Sequence, residues 1–232
     1  MGACEGARHE VPKAVCAPLR PRAPRPAPRT RTADERSAAR RVRGRHGALT
    51  LPSRGPRSDA DRPQVFFARG TTEPAPIGTL VGPPLAAALQ RALRAKGNLT
   101  LAFAGVGYAA DVLGFLEGGD PQGARAMAND LTSAASACPK AALVTAGYSQ
   151  GGQLVHNSAR LLSPAVQARI SAAVIFGDPD NGSAVSGVSA LRTHVVCHAG
   201  DDICLHGDLV LEPHLTYGAD TPSAAAFIAG KV

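Results

Sequence analysis

Ser149 stands in the string Gly147-Tyr148-Ser149-Gln150-Gly151, and the residues around it are those that acyl transfer requires. Residues 141–146, Ala-Ala-Leu-Val-Thr-Ala, read as a short buried strand, and a helical pattern runs from 151 to 162. Strand, tight turn, serine, helix is the context of a nucleophile elbow. The flanking glycines let the chain turn sharply and let the next element pack close, so the hydroxyl projects into open space. A helix starting just after the serine also aims unpaired N–H groups and a positive dipole end at the reacting centre. The string also fits an ordinary turn serine, so its partners decide.

A serine nucleophile needs a base for its proton, an acid to orient that base, and donors for the oxyanion. In hydrolases built around such an elbow the order along the chain is Ser, Asp, His. Downstream of Ser149 come Asp201, in Cys197-His198-Ala199-Gly200-Asp201-Asp202-Ile203-Cys204, and His214, in Pro213-His214-Leu215-Thr216-Tyr217-Gly218. A bridge between Cys197 and Cys204 would close a tight loop around Asp201, stabilising by roughly 2.5 kcal/mol on chain entropy. It would also hold a loop-borne carboxylate still. Asp202 is the rival acid, and His198 and His206 are the rival bases. His156 reads as a packed or surface histidine on the helix after the serine. Asp178 and Asp180, in Phe176-Gly177-Asp178-Pro179-Asp180, read as turn chemistry after a strand.

The elements that must position these groups alternate. Strands are expected at 65–68, 99–103, 141–146, 172–176 and 194–197, and helices at 84–96, 121–137, 151–162 and 221–230. Leu85, Leu89 and Leu93 make the first helix amphipathic, and Gly97 ends it. Such alternation predicts an α/β fold, a parallel sheet covered by helices on both faces. No apolar run approaches 18 residues, so no membrane span is expected.

The net charge of +7 is unevenly spread: residues 1–62 carry 15 Lys/Arg against 6 Asp/Glu, and residues 63–232 carry 10 against 12. The basicity belongs to the Arg/Pro-rich N-terminal stretch, which cannot bury enough apolar surface to order itself. Residues 1–61 are therefore expected to be disordered, with one domain over 62–232. No apolar h-region follows the basic start, so no signal peptide is visible in the chain as written. The five cysteines contain no zinc-type CxxC pair, and no metal is expected.

The 147–151 string, the Cys-x6-Cys loop with its Gly-Asp, and the His214-Leu215-Thr216-Tyr217-Gly218 segment resemble the cutinase family of serine esterases. Arg69-Gly70-Thr71-Thr72-Glu73-Pro74 and Val81-Gly82-Pro83 resemble its oxyanion-loop region, and Cys138-Pro139 sits where the family has a cysteine. The resemblance runs from about Pro63 to the C-terminus. It implies a three-layer α/β/α hydrolase fold with a central, mainly parallel five-stranded sheet and no large lid. It also implies Ser149 as nucleophile, His214 as general base and acid, and Asp201 as the orienting carboxylate. The oxyanion hole would be the Thr71 and Gln150 backbone N–H groups with the Thr71 hydroxyl as a third donor, while Thr72 and Glu73 fix the turn. Leu209, Val210, Leu211 and Leu215 flank His214 and would line the acyl side.

Two departures stand out. The family's partner for Cys138 would fall at Ala60, which leaves Cys138 either a free thiol or paired with Cys4 or Cys16. Asp208 lies in a segment that is usually apolar near the groove mouth, which argues against a long-chain preference and leaves small acyl groups, such as acetyl on a polysaccharide, as an option.

The resulting expectation is a secreted, monomeric esterase that forms an acyl-enzyme without a cofactor. Its substrate would be polymeric or lipid-like: cutin-like polyester or short-to-medium acyl esters, with acetylxylan or a lipid ester as the alternative within the same chemistry. No nucleic-acid partner is expected for the domain. A reading of another class is a non-catalytic binding protein on a hydrolase scaffold, its basic tail contacting anions. That reading predicts salt-sensitive binding and no reactive serine.

Overall fold

Strand β1 (Gln64–Ala68) is buried at all five positions, as a central parallel strand covered on both faces must be. It pairs in parallel with β2 (Ala102–Gly105) on one side and β3 (Leu143–Tyr148) on the other. Strand β3 pairs with β4 (Ile170–Phe176), and β4 with β5 (Thr193–Val196). The order β2-β1-β3-β4-β5 is that of a doubly wound sheet, whose direction of winding reverses between β1 and β3. The computed structural model describes residues 62–97 and 99–232. The Arg/Pro-rich stretch expected over 1–61 lies outside the described residues.

Alternate residues of each strand feed two cores. Val65, Phe67, Val144, Ala146, Val174 and Phe176 face α1 (Gly82–Gly97) and α6 (Thr221–Lys231). Phe66, Ala68, Ala173 and Ile175 face α3 (Pro121–Ala137) and α4 (Gln150–Leu161). In α1 the leucines at 85, 89 and 93 are fully buried, as their spacing of four dictates. Helix α3 starts where Asp120 Oδ1 accepts the N–H groups of Gln122 and Gly123, at 2.7 and 3.0 Å, with Pro121 in the first turn. Among the described residues no helix is long and apolar enough to cross a membrane.

Strand β2 begins later than the expected 99–103. Leu99 and Leu101 pack against the core in line with Phe103, so the alternating pattern runs on ahead of the ladder. The Leu99 N–H instead returns to the Leu93 carbonyl at the end of α1. Two short helices, α2 (Val112–Leu116) and α5 (Pro164–Arg169), were not expected. Three of the five α2 residues, Val112, Leu113 and Leu116, are exposed apolar side chains, so α2 shows no amphipathic stripe. Its signal is Asp111, whose Oδ1 accepts the Gly114 N–H at 2.8 Å.

Cys138 is buried at the end of α3 and disulfide-bonded, which removes the free-thiol alternative. Cys4 and Cys16 lie outside the described residues.

Candidate active site

Register brings the chemistry-bearing segments to one level. Ala68 lies opposite Gly147, Tyr148 opposite Phe176, and Phe176 opposite Val196. The chain therefore leaves β1, β3, β4 and β5 side by side, at the carboxyl ends where open α/β sheets bind ligands. Arg69, Ser149, Gly177 and Cys197 are the first residues beyond those ends.

Ser149 takes φ 55° and ψ −123°, a conformation costing an L-residue about 1–3 kcal/mol. The turn holds because its neighbours lack side chains. A Cβ on Gly147 would lie 2.1 Å from the Gly151 carbonyl oxygen, and one on Gly151 would lie 2.0 Å from that of Ala68. The Ser149 N–H donates to the Phe176 carbonyl at 2.9 Å, and α4 begins at the next residue, Gln150. The Gln150 N–H is thus one of the donors that a helix start leaves without an intrahelical partner.

His214 and Asp201 form a buried pair. His214 Nδ1 lies 2.8 Å from Asp201 Oδ2, with both side chains shielded from solvent. Asp201 Oδ1 accepts the Ile203 N–H at 3.0 Å. With the carboxylate as acceptor, the proton of the neutral imidazole sits on Nδ1 and the lone pair on Nε2. Nε2 is buried and has no hydrogen-bond partner. The Tyr148 ring stacks on the His214 ring with centroids 5.2 Å apart, and the Tyr148 hydroxyl donates to the His214 carbonyl at 2.9 Å. A Cβ on Gly177 would lie 2.7 Å from His214 Cε1, so the ring rests on the Gly177 backbone. Ser149 and His214 thus meet through Tyr148, the residue before the serine, and through residues 176 and 177. The hydrogen bond from Ser149 to Nε2 is not made in this structure; such bonds commonly close only when substrate is bound.

Tyr217 is a part of this arrangement that sequence reasoning missed. Its hydroxyl donates to Asp201 Oδ2 at 2.6 Å and accepts the His198 N–H at 2.9 Å. Burial, and then the hydrogen bond to Asp201, push this phenol above its ordinary range, so it keeps its proton and remains a donor. It stands three residues after His214 in the segment already singled out, but nothing in that spacing points to a bond with Asp201.

The Cys197–Cys204 disulfide forms, with Cα atoms 6.0 Å apart, and Cys204 Sγ lies 3.5 Å from Asp201 Oδ2. Replacing both cysteines with alanine is expected to lower unfolding free energy by roughly 2.5 kcal/mol. The denaturant midpoint should fall as the loop around Asp201 loosens, and urea titration checks it.

The rival residues are otherwise engaged. Asp202 Oδ2 accepts the Leu209 N–H at 2.9 Å. His206 Nδ1 bonds the Pro179 carbonyl at 2.8 Å. His198 bonds the Pro213 carbonyl and Asp220, at 2.9 and 2.7 Å, and stacks on Tyr217. Burial opposes charge on His198, but the Pro213 carbonyl and the Asp220 carboxylate outweigh it and raise its pKa.

The loop after β1 is pinned from two sides. The Arg69 guanidinium donates to the carbonyls of Glu73, Tyr108 and Ala109, and the Glu73 carboxylate accepts the N–H groups of Gly70, Thr79 and Leu80. Glu73 therefore fixes the turn, as the sequence suggested. The Thr71 hydroxyl is buried without a partner on this loop.

An open groove of ≈ 400 Å³ runs beside α4, between α2 and the loop after the disulfide. Phe115, Leu116, Gln153, Pro179, His206 and Asp208 are among its lining residues. Leu209, Val210, Leu211 and Leu215 are exposed apolar side chains and are not among that lining. On α2, Val112, Leu113 and Leu116 are also exposed apolar side chains, and of these Leu116 lines the groove; sequence reasoning did not single them out.

A five-stranded parallel sheet with these segments at its carboxyl edge has the architecture of the α/β hydrolases. The cutinase family profile matches residues 60–232. A cutinase of Botryotinia fuckeliana is 60% identical over 164 residues, 71% of this chain and 80% of its own length. A Trichoderma reesei cutinase, solved in complex with a C11Y4 phosphonate inhibitor, superposes with TM-score 0.69 at 48% identity, covering 72% of this chain and 75% of that one. The catalytic core of an acetyl xylan esterase from Trichoderma reesei shares the fold, with TM-score 0.57 at 22% identity over 75% of this chain and 100% of that one. The chain belongs to the cutinase family. It is a carboxylic ester hydrolase.

Proposed function

We propose that this protein is a secreted, monomeric serine esterase that cleaves cutin-like polyester or short-to-medium acyl esters through an acyl-enzyme on Ser149. The observation that carries the reading is the buried His214–Asp201 pair, 2.8 Å apart, with the ring held by Tyr148 and Gly177, each next in sequence to a residue that fixes the Ser149 turn. Ser149 Oγ attacks the ester carbonyl while His214 Nε2 takes its proton and then delivers it to the leaving alkoxide. Asp201 keeps the imidazole in the Nδ1–H form and stabilises the imidazolium. The Thr71 and Gln150 N–H groups and the Thr71 hydroxyl receive the oxyanion, and preset donors need no reorganisation when charge develops. Water then repeats the sequence and releases the acid. An oxidising compartment suits a carboxylate loop closed by a disulfide.

Labelling with a fluorophosphonate tests the assignment. A single adduct mapped to Ser149 supports it, and no adduct, or one on another residue, defeats it.

We place the acyl chain along this groove; Asp208, in its lining, then puts a carboxylate in the chain's path, which favours a second reading within the same chemistry. Acetyl groups on a polysaccharide would need little of that groove. Replacing Asp208 with leucine is expected to raise kcat/KM for longer acyl chains, by up to about fourfold per methylene newly buried. An acyl series of p-nitrophenyl esters from acetate to octanoate, run beside acetylated xylan, measures the shift and separates the two substrates.

A further inference from the structure

A second histidine–carboxylate pair lies behind the nucleophile turn, and the reaction described above does not use it. His156, in the second turn of α4, and Asp178, two residues beyond β4, are both fully buried, with His156 Nε2 3.0 Å from Asp178 Oδ2. The other carboxylate oxygen, Oδ1, accepts the Asp180 N–H at 3.0 Å. It also lies 3.2 Å from the position a Cβ on Gly152 would take, so Asp178 touches α4 both in its first turn and at His156.

The segment that Asp178 anchors touches both Ser149 and His214. Phe176 accepts the Ser149 N–H, and Gly177 is the floor under the His214 ring. Helix α4 begins at the residue after Ser149, so any slip of α4 against residues 176–180 changes the gap between Ser149 Oγ and His214 Nε2. We propose that His156 and Asp178 are positioning residues that set this gap by clamping α4 to the segment after β4. Full burial makes such a clamp directional and stiff, because a charge shielded from water must keep its donors. The proposal rests on the esterase reading.

His156→Leu removes the donor. His156→Gln keeps an amide N–H near the place of Nε2. Asp178→Asn keeps the shape but leaves a single acceptor oxygen where two donors now meet two. Turnover of p-nitrophenyl butyrate is measured well below each variant's own Tm, per competent site counted with a stoichiometric organophosphate. The expected result is a fall in kcat of about 10- to 100-fold in His156→Leu, the scale of an ångström misplacement, with KM unchanged. His156→Gln should recover most of that loss, and Asp178→Asn should repeat it if His156→Leu does not fold. A kcat per site equal to wild type in His156→Leu or Asp178→Asn would make the pair merely structural and overturn the proposal. His156→Gln as slow as His156→Leu would do the same. A wild-type protein without turnover would sink the esterase reading first, and this inference with it.

Discussion

Replacing Ser149 with alanine is expected to cut kcat on p-nitrophenyl butyrate by about 10⁶-fold, the loss seen when a serine hydrolase loses its nucleophile. The change removes one oxygen and disturbs little else. The turn is set by the Ser149 N–H bond to Phe176 and by the tight approach of Gly147 to Gly151, and neither involves the hydroxyl. The alanine protein should therefore melt near the wild-type Tm and still bind ester. The positive φ at this position remains strained for alanine, as it is for serine. Residual turnover would report what the oxyanion donors and binding contribute alone, about 10³- to 10⁴-fold over water. Turnover persisting at the wild-type rate would move the nucleophile elsewhere.

Asp201→Asn is expected to cost about 10⁴-fold in kcat while leaving the fold intact. The asparagine amide fits the space of the carboxylate, with its oxygen at the Oδ1 place accepting the Ile203 N–H and its NH2 group at the Oδ2 place that His214 and Tyr217 share in the wild type. What changes is the partner of His214 Nδ1. Facing an amide N–H, the imidazole places its own proton on Nε2 and loses the lone pair that must deprotonate Ser149. The loss should appear in kcat rather than KM, because no substrate contact is removed. A pH–rate profile checks the origin of the defect. Strong base should recover part of the rate, as hydroxide substitutes for the missing general base. An Asp201→Asn enzyme within tenfold of wild type would assign the orienting role to another carboxylate.

The alternation of strands and helices along the chain, the two helical layers and the place of the elbow were legible because they rest on local rules. A leucine every four residues, alternating apolar strands and glycines beside a serine each force one local geometry. Asp201 and His214 were legible as candidates through the closeness of Cys197 to Cys204 and the Ser-Asp-His order. The Gly200-Asp201 context and the resemblance already chose Asp201 over its neighbour Asp202, and the loop's path brings that carboxylate against His214. Tyr217 and the His156–Asp178 pair were not legible as working groups. Their partners lie 16 and 22 residues away, and no spacing rule connects a helix to the end of the next strand. Helix α2 escaped for the opposite reason, because its apolar residues face outward and carry no period.

The way the His214 ring is held has a consequence for turnover. Asp201 grips its Nδ1 side, Tyr148 covers one face and Gly177 lies against Cε1, while nothing grips Nε2. On the proposed assignment, a ring held by these three contacts and open at Nε2 can collect a proton from the serine, pass it to the departing alcohol, and begin again with water. It need not surrender a single stabilising contact between the two halves of the cycle.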